Sequence, residues 1–343
     1  MPYRKKLFAA LPLSVAFSIT CACGPVADTR ILNLSDTHPP VLLGVETRDS
    51  GTLILHFDKS TEIITMDIVP GLALSESVCQ ETDIVLSFSD SQAPGQEYSL
   101  EASVRDEKRN SMDFLTSFYG FNPDIPSLLI NEFTTQGSGN HPDLVELFVL
   151  SRGNLAGVAF YQGTKTVWED RFVFPGLIVS PGDYILLHCK PQGLPEELNE
   201  VSVRDSSGGL DASASAWDFW LDGGTGLSGN NGVLSVYANP YGAIIDAVLY
   251  SNRTSASDED YRGFGSADTM EKADELAETG AWTASGDLAA PEDAVNPEDS
   301  TSTRSVCRNS LSGDTDGKED WHIVPTGRYS FGRQNSDEVY AAQ

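Results

Sequence analysis

Basic residues are scarce in this chain. Lys and Arg number 22 against 50 Asp and Glu, a formal charge of -28 over 343 residues. A field of that sign repels nucleic-acid phosphates and anionic lipid surfaces, so no nucleic-acid partner is expected. Histidine is also sparse. His38, His56, His141, His188 and His322 stand alone, no two at metal-ligand spacing, which removes support for a zinc centre. Beyond the N-terminus no apolar run approaches the about 20 residues of a membrane-spanning helix. There is no G-x-S-x-G elbow, P-loop or dinucleotide fingerprint. The glycine-rich stretch Gly223 to Gly229 lacks a following Lys and a helix pattern, so it reads as a flexible loop between strands. With no nucleophile, base or metal cluster to build on, the expectation is a protein that is not an enzyme and needs no cofactor.

What is present fits a folded, exported, strand-rich protein. Hydrophobic residues make up 40% and charged residues 21%, a globular balance, and 30 Gly with 18 Pro supply many turns. The acidic residues are spread along the chain, which describes a solvated surface more than a tail. Residues 1–22 have the parts of a secretory signal peptide: Arg4, Lys5 and Lys6, then the apolar run Leu7 to Ile19, then Thr20-Cys21-Ala22-Cys23. The run is too short to span a bilayer. Its end resembles the lipobox of bacterial lipoproteins, with Cys23 after Ala22 as the first candidate for acylation and Cys21 as the alternative. Thr20 stands where that family usually has Leu. The resemblance implies an exported lipoprotein of the cell envelope, held at the membrane by lipid alone, with residues 23–38 as a polar tether.

Residues 39–123 form the first expected unit. Period-2 runs such as Thr52 to Phe57 and Ile84 to Phe88 place Leu53, Leu55 and Phe57, and then Ile84, Leu86 and Phe88, on one face each. Such runs at intervals near ten residues read as a β-sandwich. The Pro39-Pro40 opening, the Phe57-Asp58-Lys59 segment and Tyr98-Ser99-Leu100 through Val104-Arg105-Asp106 resemble bacterial Ig-like domains of surface proteins. That resemblance implies a spacer or stalk.

Residues 126–336 form the second. Leu128 to Phe133 and Asp143 to Phe148 are short β-type runs joined across a Gly/Ser/Asn turn. Ser180-Pro181-Gly182-Asp183 dictates a tight reversal into the buried run Tyr184 to Leu187, with Gly182 supplying the positive φ. Val233 to Tyr237 and Ile244 to Tyr250 read as a hairpin over Asn239-Pro240-Tyr241-Gly242. Asp268 to Thr279, with Asp268 as N-cap, Glu271 at N3 and Gly280 as the stop, reads as a short helix.

The order of motifs in this second unit resembles the lamin-tail domain: Ile130-Asn131-Glu132-Phe133, Asp143 through Leu147, Asn154-Leu155-Ala156-Gly157, the Pro-Gly turn with its strand, the Asp246 strand, and Ser305-Val306-Cys307-Arg308 followed by Asp314-Thr315-Asp316 and Asp320-Trp321. Val158 replaces the Trp usual in the third element, and residues 190–217 and 251–300 are longer than is usual for the family. The resemblance implies a compact Ig-like sandwich that binds or scaffolds. The expected whole is all-β: two Ig-like sandwiches in tandem behind a lipoprotein signal peptide, acting as a lipid-anchored binding or scaffold protein with a protein or glycan partner. A surface hydrolase-associated protein or a carbohydrate-binding adhesin is the alternative.

Four sets of side chains are candidates. Asp314, Asp316 and Asp320 are a weak calcium loop, set against a turn whose carboxylates bond backbone N–H groups. Glu132 and Glu146 suggest an acid pair but are expected to be structural, near a sheet edge. Cys189 and Cys307 are a candidate disulfide, although the alternation at Val306 turns Cys307 outward. Trp217 and Trp220, from the five tryptophans, are the candidate exposed aromatic strip for a glycan.

Overall fold

The computed structural model describes residues 36–342, so the expected signal peptide and the lipidation candidates Cys21 and Cys23 lie outside the described residues. Pro39–Gln343 make one compact unit that contains two separate hydrophobic cores. The chain is all-β, with sandwich-like sheets as expected. Among the described residues no helix is long and apolar enough to cross a membrane.

The first sandwich packs two antiparallel sheets. One has the order β1-β2-β5-β4, with β1 (Leu42–Asp49), β2 (Thr52–Phe57), β4 (Leu74–Gln80) and β5 (Asp83–Phe88). The other has the order β3-β6-β7, with β3 (Thr61–Val69), β6 (Glu97–Asp106) and β7 (Ser111–Tyr119). Alternation sets the inner faces: Leu53, Leu55 and Phe57 meet Ile84, Leu86, Leu100, Val104 and Phe118 in the first core. The strand β4 has no counterpart in the sequence reading. Every residue of it is exposed, so it carries no apolar alternation to read.

The second sandwich sets a six-stranded sheet, order β15-β14-β9-β8-β18-β19, against a four-stranded sheet, order β12-β11-β16-β17. The first contains β8 (Leu128–Thr134), β9 (Leu144–Val149), β14 (Tyr184–His188), β15 (Trp217–Trp220), β18 (Val306–Arg308) and β19 (Trp321–Ile323). The second contains β11 (Ala159–Gly163), β12 (Trp168–Val173), β16 (Asn231–Tyr237) and β17 (Ile244–Ser251). A small ribbon pairs β10 (Gly153–Asn154) with β13 (Ile178–Val179). All seven residues of β8 are buried, because one face meets the core and the other lies under the C-terminal segment. The Gly182 turn forms as read, at φ 89°, with Asp183 N–H donating to Ser180 O at 3.0 Å.

The helix α1 (Ala267–Thr279) falls where expected, but its cap lies earlier. Ser266, not Asp268, is the N-cap: its side chain accepts from Thr269 N–H at 3.2 Å, and Asp268 sits in the first turn, where the helix dipole favours a carboxylate. Gly280 closes the helix at φ 72°, the left-handed value that favours glycine.

Candidate functional site

The chemistry-bearing residues of the second sandwich gather on the two faces of its six-stranded sheet. On the inner face stands Arg308, fully buried at the end of β18. Its Nε donates to Ile130 O at 2.8 Å. Its Nη1 donates to Gly313 O at 3.0 Å and to Asp314 at 2.8 Å, with Asp320 at 3.3 Å. Its Nη2 faces both carboxylate oxygens of Asp246, at 3.4 and 3.5 Å. The ring of Trp321 covers the guanidinium at 4.6 Å.

Asp246 comes from β17 in the opposite sheet, so this cluster ties the two layers together. It also accepts the N–H groups of Ile130 and Ala247. Burial pushes its carboxyl up to about 7, against the pull of Arg308 and the Ile130 amide, and Asp314 adds to the rise.

Of the calcium candidates, Asp314 and Asp316 each bring an oxygen within 4.8 Å of one on Asp246. Asp320 is not in that group. It accepts from Thr315 N–H at 2.7 Å, from Thr315 Oγ1 at 2.9 Å and from Gly317 N–H at 3.4 Å. The loop is organised as a turn whose carboxylates bond backbone amides and whose charge is met by Arg308. Three carboxylates fall short of the six to eight oxygens that calcium takes.

On the other face Glu132 and Glu146 stand directly opposite one another in β8 and β9, both fully buried. They occupy central strands, not the sheet edge expected of them. Strands β14 and β18 flank the pair, and their sequence distance from it hid this order. Glu132 accepts from Ser305 Oγ, from Ser330 N–H at 2.8 Å and from Ser330 Oγ at 2.6 Å. Glu146 accepts from Asn131 Nδ2 at 2.8 Å and from Gly332 N–H at 2.6 Å. Asn335 closes the network by donating to Asn131 O and Arg308 O. Burial raises both carboxyls, and the charge of Glu132 raises Glu146 further. The segment 325–337 is therefore a strap, stapled to the sheet by the two glutamates.

The remaining candidates separate. Trp220 is buried: its ring stacks on His188 with centroids 3.7 Å apart, and its Nε1 donates to Ser207 Oγ at 2.8 Å. Trp217 is half-buried under Arg204, whose guanidinium lies 4.7 Å from the ring. The two rings thus fasten residues 190–217 to the sheet and form no exposed strip. Trp168, on β12, is the tryptophan left about half exposed, at 46%.

Cys189 and Cys307 are both buried free thiols, so the candidate disulfide is not formed. They lie three strand spacings apart in the order β14-β9-β8-β18, roughly 14 Å at about 4.8 Å per strand. A bridge needs Cα atoms within about 7 Å. Burial raises both thiols.

Sequence reasoning also missed a pair of His–carboxylate contacts that hold the same long loop. Buried His188 meets Asp218 at 2.8 Å, and half-exposed His141 meets Asp211 at 2.9 Å. Neither pair has a spacing signature. A cleft of about 670 Å³ opens beside β19, where Arg253, Lys318, Trp321 and Tyr340 face Glu292 and Asp299.

The second unit is thus a β-sandwich whose interior charges are engaged with one another and with backbone. Residues 126–323 match the family described as "protein second domain" (TP_1001_2nd). The chain belongs to this family. It is also similar to a protein of Treponema pallidum (strain Nichols) described as an uncharacterized protein, at 30% identity over 158 residues. That alignment covers 46% of this chain and 40% of the relative, so the chain spans less than half of the relative's length.

Proposed function

We propose that this protein is a lipid-anchored component of the cell envelope that binds or scaffolds a partner without catalysis. In this reading Cys23, or Cys21, carries the lipid. The first sandwich is an Ig-like stalk, and the second is a lamin-tail-like platform.

The observation that carries the reading is the joint between the two sandwiches. Asn122 Nδ2 donates to Asn154 O at 2.8 Å and to Ala156 O at 2.9 Å. Ser117 Oγ meets Tyr241 Oη at 2.9 Å. A Cβ on Gly95 would come within 2.3 Å of Ala156 C and Gly157 N, so the backbones touch where only glycine fits. A fixed joint holds a platform at a set height and angle, a property that a scaffold needs.

A second piece of support is the use made of the polar interior. Arg308, Asp246, Glu132 and Glu146 each engage backbone groups and neighbouring side chains, as structural networks do. The carbohydrate-binding alternative rests on the 670 Å³ cleft, where Trp321 and Tyr340 stand among donors and acceptors.

The test is metabolic labelling with an alkyne fatty acid, followed by detergent phase partition and protease treatment of intact cells. The expected result is label and detergent-phase recovery for the native chain and loss of both in the double variant Cys21→Ser/Cys23→Ser. Unlabelled native chain in the aqueous phase overturns the anchor. Binding of the purified chain to a glycan array, abolished by Tyr340→Ala, would favour the second reading.

A further inference from the structure

The first sandwich is closed on one side and open on the other. On the closed side β1 and β7 meet, and Thr47 Oγ1 donates to Tyr119 O at 3.0 Å. On the open side β3 and β4 are both edge strands, each hydrogen-bonded to a single neighbour. They bound a groove of about 600 Å³. Its floor includes Ile63, Met66 and Leu72, core side chains that are only partly covered. From β4 it is lined by Leu74 and by the small side chains Ser77 and Cys79. Ile64, also on its lining, is 47% exposed.

Backbone N–H and C=O groups on a free edge template another strand. An apolar trough beside that edge takes alternate side chains of the incoming segment. The register of β4 with β5 is regular from Glu76 to Gln80, after an irregularity between Leu74 and Glu76. This part of β4 therefore presents an evenly spaced row of backbone groups, with Ser60 Oγ meeting Cys79 Sγ at 3.7 Å near its end.

Charge chooses the occupant. Glu62, Asp67, Glu76 and Glu81 stand on these two strands and the turn after β4, all exposed. Arg105 engages Glu62, and among the described residues no ion pair meets Asp67, Glu76 or Glu81. A second copy of the chain would bring another net charge of -28 and set like charges edge to edge, which is destabilising.

We propose that this groove accepts an extended segment of a partner protein, with apolar side chains at alternate positions and basic residues at its ends, which pairs as an added strand on β4. The apolar side chains cover Ile63, Met66 and Leu72, and the basic ends meet Asp67, Glu76 and Glu81. This site is separate from the anchor and from the platform. Its test uses the purified chain, so failure of the anchor leaves it standing.

The probe is a synthetic nine-residue peptide with Val at alternate positions between paired Lys residues, compared with a twin flanked by Glu. Binding is read by titration with a fluorescent label and by hydrogen exchange of the β4 amides. The expected results are at least about tenfold tighter binding of the Lys-flanked peptide and slower exchange in Ser77–Gln80 when it is bound. Ser77→Trp fills the trough from an exposed position and should weaken binding by about tenfold or more, with the melting temperature unchanged. Glu76→Lys should narrow the preference between the two peptides. Equal binding of both peptides, exchange of β4 unaltered by saturating peptide, or undiminished binding by Ser77→Trp overturns the proposal. So does a dimer of the free chain in which β4 is already protected.

Discussion

Asp246→Asn is the substitution whose effect the structure defines most sharply. Asp246 is buried beside Arg308, and burial lifts its carboxyl from the ordinary range near 4 to about 7. Each tenfold displacement of a proton equilibrium is worth about 1.4 kcal/mol, so this group couples roughly 4 kcal/mol of stability to pH. The folded pKa lies above the unfolded one, so the folded chain holds the proton more tightly. Its contribution is complete below about pH 4 and is lost as pH rises through about 7. Between pH 5 and pH 8 the loss amounts to roughly 2–3 kcal/mol, or roughly 5–10 °C in melting temperature for a unit of this size.

Asparagine cannot titrate. It also turns one N–H group toward the Ile130 or Ala247 amide, which adds a constant cost of about 1–3 kcal/mol at every pH. The assay is denaturant unfolding of both proteins at pH 5, 6, 7 and 8. The variant should start level with or below the native chain at pH 5, hold its stability while the native chain loses roughly 2–3 kcal/mol, and end level with it or above it at pH 8. Glu132 and Glu146, raised in the same direction, slope both curves alike and cancel in the difference. Parallel curves would refute the reasoning.

Further outcomes follow from the same contacts. Arg308→Met removes the cation from Asp246 and Asp314 and should cost about 3–5 kcal/mol at pH 8, read by the same unfolding assay. Glu146→Gln turns one N–H group toward either Asn131 Nδ2 or the Gly332 amide and should cost about 1–3 kcal/mol, whereas Glu146→Ala strands both donors and should cost about 2–4 kcal/mol. Millimolar calcium should leave the melting temperature unchanged, since Arg308 already meets the charge of Asp246 and Asp314; a rise of several degrees would assign the loop to a cation. Gly95→Val should loosen the joint between the sandwiches, seen as a larger radius of gyration in small-angle scattering, because the added side chain meets Ala156 and Gly157. A maleimide should label Cys79 in the folded chain and reach Cys189 and Cys307 only after unfolding.

The strands that bury one face were legible because alternation is written in neighbouring residues, as in Leu53, Leu55 and Phe57. The polar edge strand β4 was not, because its apolar content is low and both its faces meet solvent. Strand order was hidden for a different reason. β14 and β18 flank the Glu132–Glu146 pair from 40 and 175 residues away, and no local pattern records that pairing. The acidic loop was legible as a turn from its Asp and Gly residues, but its main partner, Arg308, reaches across the sandwich to Asp246, 62 residues earlier. Trp217 and Trp220 misled because alternation in a four-residue strand cannot foresee that a long loop folds over it. The helix cap slipped by two residues because Ser266 and Asp268 are both competent caps, and the chain entering from Gly265 selects the first.

The proposed role, holding a partner at the envelope without chemistry upon it, meets its sharpest test in the cell. In-cell cross-linking of the full-length chain, read by mass spectrometry, tests that most directly. Adducts to a small, reproducible set of envelope partners are expected, recovered with their covalent structure unchanged and lost when Cys21 and Cys23 are both replaced by Ser. Recovery of the native chain without adducts, or of partners cleaved or modified only when the chain is present, would contradict it.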